Sequence, residues 1–303
     1  MKDIKNKQAA FKRASIYLIL TTGVCLLVGG IAIVAPKKAG AELFLVLQKI
    51  FTAIPVLAVV VTRFITKDTS SWNLNLKVWK QGRMLLFSAL VPGLAVLIGA
   101  GIYYVFYPEE LVVNAQALLD FCAQYGLPDI YTVNAGTIVI IALVLWLLSI
   151  VAVPIHLLEL GEEIGWRGYL LPLFTELMSV RKAVLFSNVF WGITHAPLIY
   201  FGFNYGDHYF GAPYSGIFMM SLFCVSIGIW MSFVQLKTNN CMYAAIIHGA
   251  VNVAADMQIL SLAMNRPLLG PAPTGILGMS VILGLAIYLF SFKLKNDLSQ
   301  TNH

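Results

Sequence analysis

Residues 214–236 of the chain read YSGIFMMSLFCVSIGIWMSFVQL and hold no charged side chain. An α-helix needs about 20 mostly apolar residues to cross the hydrocarbon core of a bilayer. Lipid cannot satisfy open backbone N–H and C=O groups, so such a stretch is expected to form a regular helix. The segment therefore predicts a transmembrane span.

Seven other stretches have the same character. The eight predicted spans are residues 16–35, 41–65, 84–106, 136–158, 184–201, 214–236, 241–258 and 274–292. The whole chain is 59% apolar and 11% charged, with a mean hydropathy of +0.81, whereas soluble domains carry about 25% charged residues. We predict an all-α polytopic membrane protein of about eight transmembrane helices, with residues 1–303 in a single transmembrane domain.

The net charge of +6 is explained by the predicted topology. With the N-terminus inside, sixteen Lys and Arg lie on the inner side: Lys2, Lys5, Lys7, Lys12, Arg13, Arg63, Lys67, Lys77, Lys80, Arg83, Arg167, Arg181, Lys182, Lys237, Lys293 and Lys295. Only Lys37, Lys38 and Arg266 lie outside. Because positive loops favour the cytoplasmic side, we expect a multi-pass protein of a bacterial plasma membrane with both termini cytoplasmic. Membrane lipid, and no nucleic acid, is the expected partner of these charges.

Ionisable residues at membrane depth are energetically unfavourable and mark candidate functional sites. The first cluster, Glu162-Glu163-Ile-Gly-Trp-Arg167, follows the fourth apolar stretch. Glu163 and Arg167 are four residues apart and share a helix face, so Arg167 is expected to pair with Glu163. Glu162 is rotated by about 100° and stays free to act as a general base. Taken alone, this cluster is equally compatible with a structural ion pair at the membrane interface.

Two further clusters lie in the fifth and seventh predicted spans. Trp191-Gly-Ile-Thr-His195 puts an aromatic ring and a histidine on one helix face, and His248-Gly-Ala-Val-Asn252 does the same for a histidine and an amide. Each cluster could simply be a packing contact or interhelical polar contact. Together with the first cluster they predict one shared buried site, because the polar groups need each other as partners inside lipid.

The shared site is typical of hydrolysis. Glu162 and His195 could polarise a water molecule, while His248 and Asn252 could stabilise the oxyanion of a tetrahedral intermediate. Alternatively, Glu162, His195 and His248 could bind a divalent metal such as zinc, since two histidines and a glutamate form an established catalytic zinc site. Both mechanisms are compatible with the sequence. It has neither the H-E-x-x-H motif of zincins nor the Gly-x-Ser-x-Gly nucleophile elbow.

The order of these three motifs resembles the CPBP family, which comprises CAAX prenyl endopeptidases of the Ras-converting type and bacterial bacteriocin-processing and abortive-infection relatives. The resemblance covers about residues 136–258 and implies an eight-helix intramembrane endopeptidase open to the cytoplasmic side. It implies that Glu162 activates water with His195, that Glu163 and Arg167 support them, and that His248 and Asn252 form the oxyanion site. The family is often labelled a metalloprotease, and a metal-free glutamate mechanism has also been proposed.

Two features of the resemblance bear on function. The family usually has Phe where this chain has Trp191, and since an aromatic ring is retained we expect packing rather than chemistry to differ.

A membrane-associated peptide or protein is the implied substrate. The alternative is a non-catalytic immunity or sensor protein that binds through the same pocket. A transporter is disfavoured because the sequence shows neither internal repeats nor paired broken helices.

Overall fold

The computed structural model describes residues 2–34, 37–111, 157–256 and 266–294. Within these ranges the regular structure is helical and contains no strand. The α-helices are α1 (Lys2–Val34), α2 (Lys37–Thr66), α3 (Gly82–Phe106), α4 (Leu157–Glu163), α5 (Leu171–Leu177), α6 (Val180–Thr194), α7 (Ala196–Tyr200), α8 (Tyr214–Thr238), α9 (Met242–Asp256) and α10 (Ser280–Tyr288). Two π-helical segments, Ile164–Leu170 and Leu289–Lys293, and two 3-10 turns, Val78–Gln81 and Pro108–Glu110, complete the described elements.

The helices agree with the all-α membrane prediction. Four helical stretches in the described ranges are long and apolar enough to cross a bilayer by length and composition: Ile4–Ile31, Val78–Phe106, Val180–Tyr200 and Tyr214–Thr238. Three shorter apolar helices, Ile50–Thr66, Met242–Ala255 and Ser280–Lys293, lie within the second, seventh and eighth predicted spans or overlap them. The chain is thus an integral membrane protein. The fourth predicted span, residues 136–158, lies outside the described residues except for its last two positions.

Two predicted spans differ from the structure in their course. The fifth is interrupted at His195, between α6 and α7. Pro197 explains the break, because its ring would clash with the carbonyl of Ile193 if the helix continued. The eighth span begins at Ser280 rather than at residue 274. The preceding residues form turns, since Pro271 and Pro273 lack the N–H groups that a helix would use.

Close helix packing brings the polar motifs together. The helix α6 packs along α8, α9 packs against α3 and α4, and α2 packs against α4 and the π-helical segment that follows it. Small residues permit this approach, as is common between membrane helices. A Cβ atom on Gly228 of α8 would lie 2.8 Å from the guanidinium of Arg167 and would overlap the side-chain amide of Asn188.

A loop on the side of the predicted cytoplasmic charges, residues 68–77, crosses the ends of several helices and is here called the strap. Asn75 and Asn240 exchange two hydrogen bonds of 2.8 and 2.9 Å, which join the strap to the α8–α9 turn. The Asn73 side chain donates to the carbonyl of Gly168 at 2.9 Å, and the Asn73 carbonyl accepts the N–H of Cys241 at 2.7 Å. The strap therefore holds the π-helical segment and the start of α9 in register.

Asp68 fixes the start of the strap. Its carboxylate accepts hydrogen bonds from the backbone N–H of Ser70 at 2.9 Å and the hydroxyl of Tyr169 at 3.1 Å, and Arg13 of α1 lies 3.2 Å away. Burial raises the pKa of Asp68, but these hydrogen bonds and the Arg13 charge outweigh burial and hold the pKa below its ordinary value. The carboxylate thus stays charged and links α1, the strap and the π-helical segment.

Gly99 of α3 provides a test of the packing. A Cβ atom at this position would overlap the backbone carbonyl of Gly278, which a side-chain rotation cannot relieve. We expect Gly99→Ala to destabilise the fold by about 1–3 kcal/mol, the usual cost of overpacking, and to lower the unfolding temperature of the detergent-solubilised protein. Gly101→Ala is the matched control on the same helix, because its Cβ would meet no atom within 4 Å. Equal unfolding temperatures for the two variants would contradict the packing.

Candidate active site

The two adjacent glutamates lie where α4 passes into the π-helical segment Ile164–Leu170. Arg167 Nη1 donates to both carboxylate oxygens of Glu163, each at 2.9 Å. The side chain of Glu163 is 0% exposed and that of Arg167 is 1% exposed. The predicted Glu163–Arg167 pair is confirmed, and it is a fully buried ion pair rather than one at the membrane surface. Single π-helical turns often occur at functional sites.

Arg167 has two further contacts on α6. Its Nη2 donates to Asn188 Oδ1 at 2.7 Å, and its guanidinium carbon lies 4.1 Å from the centre of the Trp191 ring. Asn188 in turn donates to the Val184 carbonyl at 2.7 Å, so its amide orientation is fixed. Sequence reasoning did not single out Asn188. The available signal was an amide one helical turn before Trp191 in an otherwise apolar span.

Glu163 also joins α4 to α9. His248 Nδ1 lies 3.0 Å from Glu163 Oε1. The carboxylate is the acceptor, so Nδ1 carries the proton. Glu163 therefore holds Arg167 and His248 at once. The predicted role of Glu163 was a structural one, and this second partner extends it to the orientation of His248.

Glu162 and His195 meet through Trp191. The indole N–H of Trp191 donates to Glu162 Oε2 at 2.9 Å. The Trp191 carbonyl accepts a hydrogen bond of 2.9 Å from His195 Nδ1, because a carbonyl can only accept. Glu162 Oε1 makes no hydrogen bond in the described part of the chain, and His195 Nε2 is likewise unengaged there. We expected Trp191 to differ from Phe in packing rather than chemistry, and the structure adds a hydrogen bond from the indole N–H to Glu162.

Asn252 lies one turn beyond His248 on α9, as predicted, and is exposed. Its side-chain N–H donates to Glu159 Oε1 at 3.2 Å. The two proposed oxyanion donors are therefore held by different carboxylates, Glu163 and Glu159. The second N–H of the Asn252 amide makes no hydrogen bond to any residue that the structure describes. Sequence reasoning had assigned no role to Glu159.

The aromatic ring of Trp191 separates the two histidines. It contacts His195 with ring centres 5.7 Å apart and His248 with ring centres 5.4 Å apart, both edge-on at 73°. The three motifs thus form one cluster around a single buried ring, as the sequence analysis predicted. Catalytic roles remain predictions for the six candidate residues Glu162, Glu163, Arg167, His195, His248 and Asn252.

A metal ion would need three of these side chains to converge. Two histidines and a glutamate are suitable zinc ligands by type. Among the residues that the structure describes, however, no three His, Cys, Asp or Glu side chains form a group that could hold an ion. His248 Nδ1 and one oxygen of Glu162 are also engaged in hydrogen bonds. The described arrangement of these side chains therefore does not fit an ion.

Known proteins are similar to the part of the chain that contains the three motifs. Residues 137–254 match the family model described as "Type II CAAX prenyl endopeptidase Rce1-like". This matched segment is similar to the CPBP family that the three motifs resemble. It is also similar to "CAAX prenyl protease 2" of Methanococcus maripaludis, with 28% identity over 136 residues, which are 44% of this chain and 46% of that protein. The chain thus spans about half the length of this curated relative. The match contains all three CPBP motifs.

The two adjacent glutamates are expected to respond differently to neutralisation. Glu163→Gln leaves the buried Arg167 without a counter-charge, and breaking a buried pair from one side costs about 3–5 kcal/mol. Glu162→Gln keeps an oxygen that can accept the Trp191 N–H, so stability should change by less than about 0.5 kcal/mol. Thermal unfolding of the two variants in detergent measures the difference. Equal unfolding temperatures would show that Glu163 does not stabilise the fold through Arg167.

Proposed function

We propose that the chain is an intramembrane endopeptidase that hydrolyses a peptide bond of a membrane-associated peptide or protein. One observation carries the proposal. Carboxylates of adjacent residues on α4 are hydrogen-bonded to Trp191 of α6 and to His248 of α9, so three separate motifs form one site. The CPBP family match supports the reaction class. The name of the archaeal relative supports a prenylated CAAX peptide as the first substrate class to test.

In the proposed mechanism Glu162 and His195 activate a water molecule. The free oxygen of Glu162 accepts a proton from the water while the unprotonated Nε2 of His195 accepts its second hydrogen bond. The hydroxide then attacks the scissile carbonyl carbon and forms a tetrahedral intermediate with a negative oxygen. The tautomer of His195 needed here is the one that its hydrogen bond to the Trp191 carbonyl favours.

His248 and Asn252 are proposed to stabilise the oxyanion. Protonated His248 donates through Nδ1 to Glu163 and through Nε2 to the substrate. Asn252 offers the N–H that does not bond to Glu159. Collapse of the intermediate breaks the C–N bond, and the proton held by Glu162 passes to the leaving amine. The direct products are a carboxylic acid and an amine, and Glu162 returns to its ionised state.

The catalytic set can be tested by substitution. Glu162→Gln, His195→Ala and His248→Ala should each abolish cleavage, and Asn252→Ala should lower kcat by about 10²–10³-fold, the usual effect of losing an oxyanion donor. Cleavage of farnesylated and non-prenylated CAAX reporter peptides is measured in proteoliposomes. The termini of membrane proteins in cells expressing wild-type or Glu162→Gln protein are compared by mass spectrometry. His208→Ala, at an exposed histidine, is the matched control.

The outcomes separate the alternatives. If cells with the wild-type and the Glu162→Gln protein contain the same protein termini, and the wild-type protein cleaves neither reporter, the peptidase proposal fails. A binding role then replaces it. Cleavage that survives a zinc chelator supports the metal-free steps. Cleavage that is lost with the chelator and restored by zinc supports the metal alternative with Glu162, His195 and His248 as ligands.

We further propose that the protein lies in a bacterial plasma membrane with both termini in the cytoplasm, as the distribution of Lys and Arg indicates. A fluorescent protein fused after His303 should then be fluorescent, because it folds in the cytoplasm. Alkaline phosphatase inserted after His208, in the loop between α7 and α8, should be active because it is exported. The reverse pattern would overturn the proposed orientation.

A further inference from the structure

Trp191 stands where the family that the motifs resemble usually has Phe. The ring is 1% exposed and its N–H donates to Glu162 Oε2 at 2.9 Å. The phenyl ring of Phe has no hydrogen-bond donor, so this contact is available to the chain only through tryptophan. The substitution therefore adds an interaction with the residue proposed to act as the base.

The ring is held from several sides. The Arg167 guanidinium lies over one face at 4.1 Å, and the rings of His195 and His248 pack edge-on against it. Arg167 is itself fixed by Glu163 and Asn188. The indole consequently cannot rotate without breaking these contacts, and its N–H points in a fixed direction. A donor that is already oriented costs no reorganisation during the reaction.

The backbone of the same residue orients the second group. The Trp191 carbonyl accepts the hydrogen bond from His195 Nδ1 at 2.9 Å. One residue therefore contacts both proposed water-activating side chains, Glu162 through its indole and His195 through its carbonyl. A change of side chain removes the first contact and leaves the second in place, so the two can be separated by experiment.

We propose that Trp191 is a positioning residue that holds one oxygen of Glu162 and thereby directs the other oxygen toward the water bound beside His195. This inference rests on the proposed peptidase function. It assigns no bond-making step to Trp191, because the indole keeps its proton throughout. Without the indole N–H, the Glu162 carboxylate is free to rotate away from the water, which slows the chemical step and leaves substrate binding unchanged.

The test removes the indole N–H of residue 191 and keeps the shape of its ring system. A benzothienylalanine at position 191, introduced by amber suppression, has sulfur in place of the indole N–H, and Trp191→Phe is a second variant. We expect kcat, per mole of folded protein, to fall about tenfold or more, as for loss of a hydrogen bond to a charged group. KM should stay within about twofold, since uniform binding is not affected.

Trp230 provides a matched control. It is also fully buried, and its indole N–H donates at 3.1 Å to the carbonyl of Ile282 on α10, which belongs to none of the three motifs. Benzothienylalanine at position 230 should leave kcat unchanged. A purely structural role of buried indoles would instead affect the unfolding temperature at both positions and would leave kcat per folded molecule unchanged at both.

The contact also has a readout that needs no activity. The indole N–H infrared stretch of Trp191, isolated by subtracting the spectrum of the Trp191→Phe protein, should shift to higher frequency in Glu162→Leu because the hydrogen bond is lost. An unshifted band, or a wild-type kcat with benzothienylalanine at position 191, would overturn the positioning role while the peptidase function stood. A wild-type protein that cleaves nothing would overturn the peptidase function, and the infrared shift would then report the contact by itself.

Discussion

The carboxylate of Glu163 is the group on which the rest of the site depends. It is fully buried and binds the guanidinium of Arg167 with both oxygens and the imidazole of His248 with one. A charge in this environment is tolerated only when it is paired and hydrogen-bonded. The dependence is mutual, because Arg167 cannot remain buried without the counter-charge of Glu163. Through these contacts one side chain joins the π-helical segment to α9, and Arg167 extends the connection to Asn188 on α6.

The surrounding fold protects this pair by close packing and by backbone contacts. Gly228 leaves space on α8 for the Arg167 guanidinium and the Asn188 amide. From the loop side, Asn73 of the strap satisfies the carbonyl of Gly168, which directly follows Arg167. The π-helical segment is thus supported on two sides. Helices from distant parts of the sequence contribute to a site whose motifs come from residues 162–252.

The adjacent glutamates have separate roles because a helix turns by about 100° per residue. Glu163 points into the protein and meets a permanent cation. Glu162 is only partly buried and meets a neutral donor, the indole of Trp191. Glu163 is held by both Arg167 and His248, whereas Glu162 keeps one oxygen that makes no hydrogen bond in the described part of the chain. This division is consistent with Glu163 as the support and Glu162 as the proposed base.

The sequence predicted most of the described apolar helices and the Glu163–Arg167 pair, because apolar length and a spacing of four residues are local properties of a chain. It also predicted that the three motifs would meet, since isolated polar groups in lipid require partners. It did not determine which partner each group has. His248 binds Glu163, Asn252 binds Glu159, and Trp191 binds Glu162 across pairs 85, 93 and 29 residues apart. Charge counting placed Arg63 and Arg167 among the charges of the inner side but did not predict that both side chains are buried. Only the tertiary structure decided these contacts, because a hydrogen bond depends on the relative rotation and depth of two helices, and packing rather than local sequence sets both.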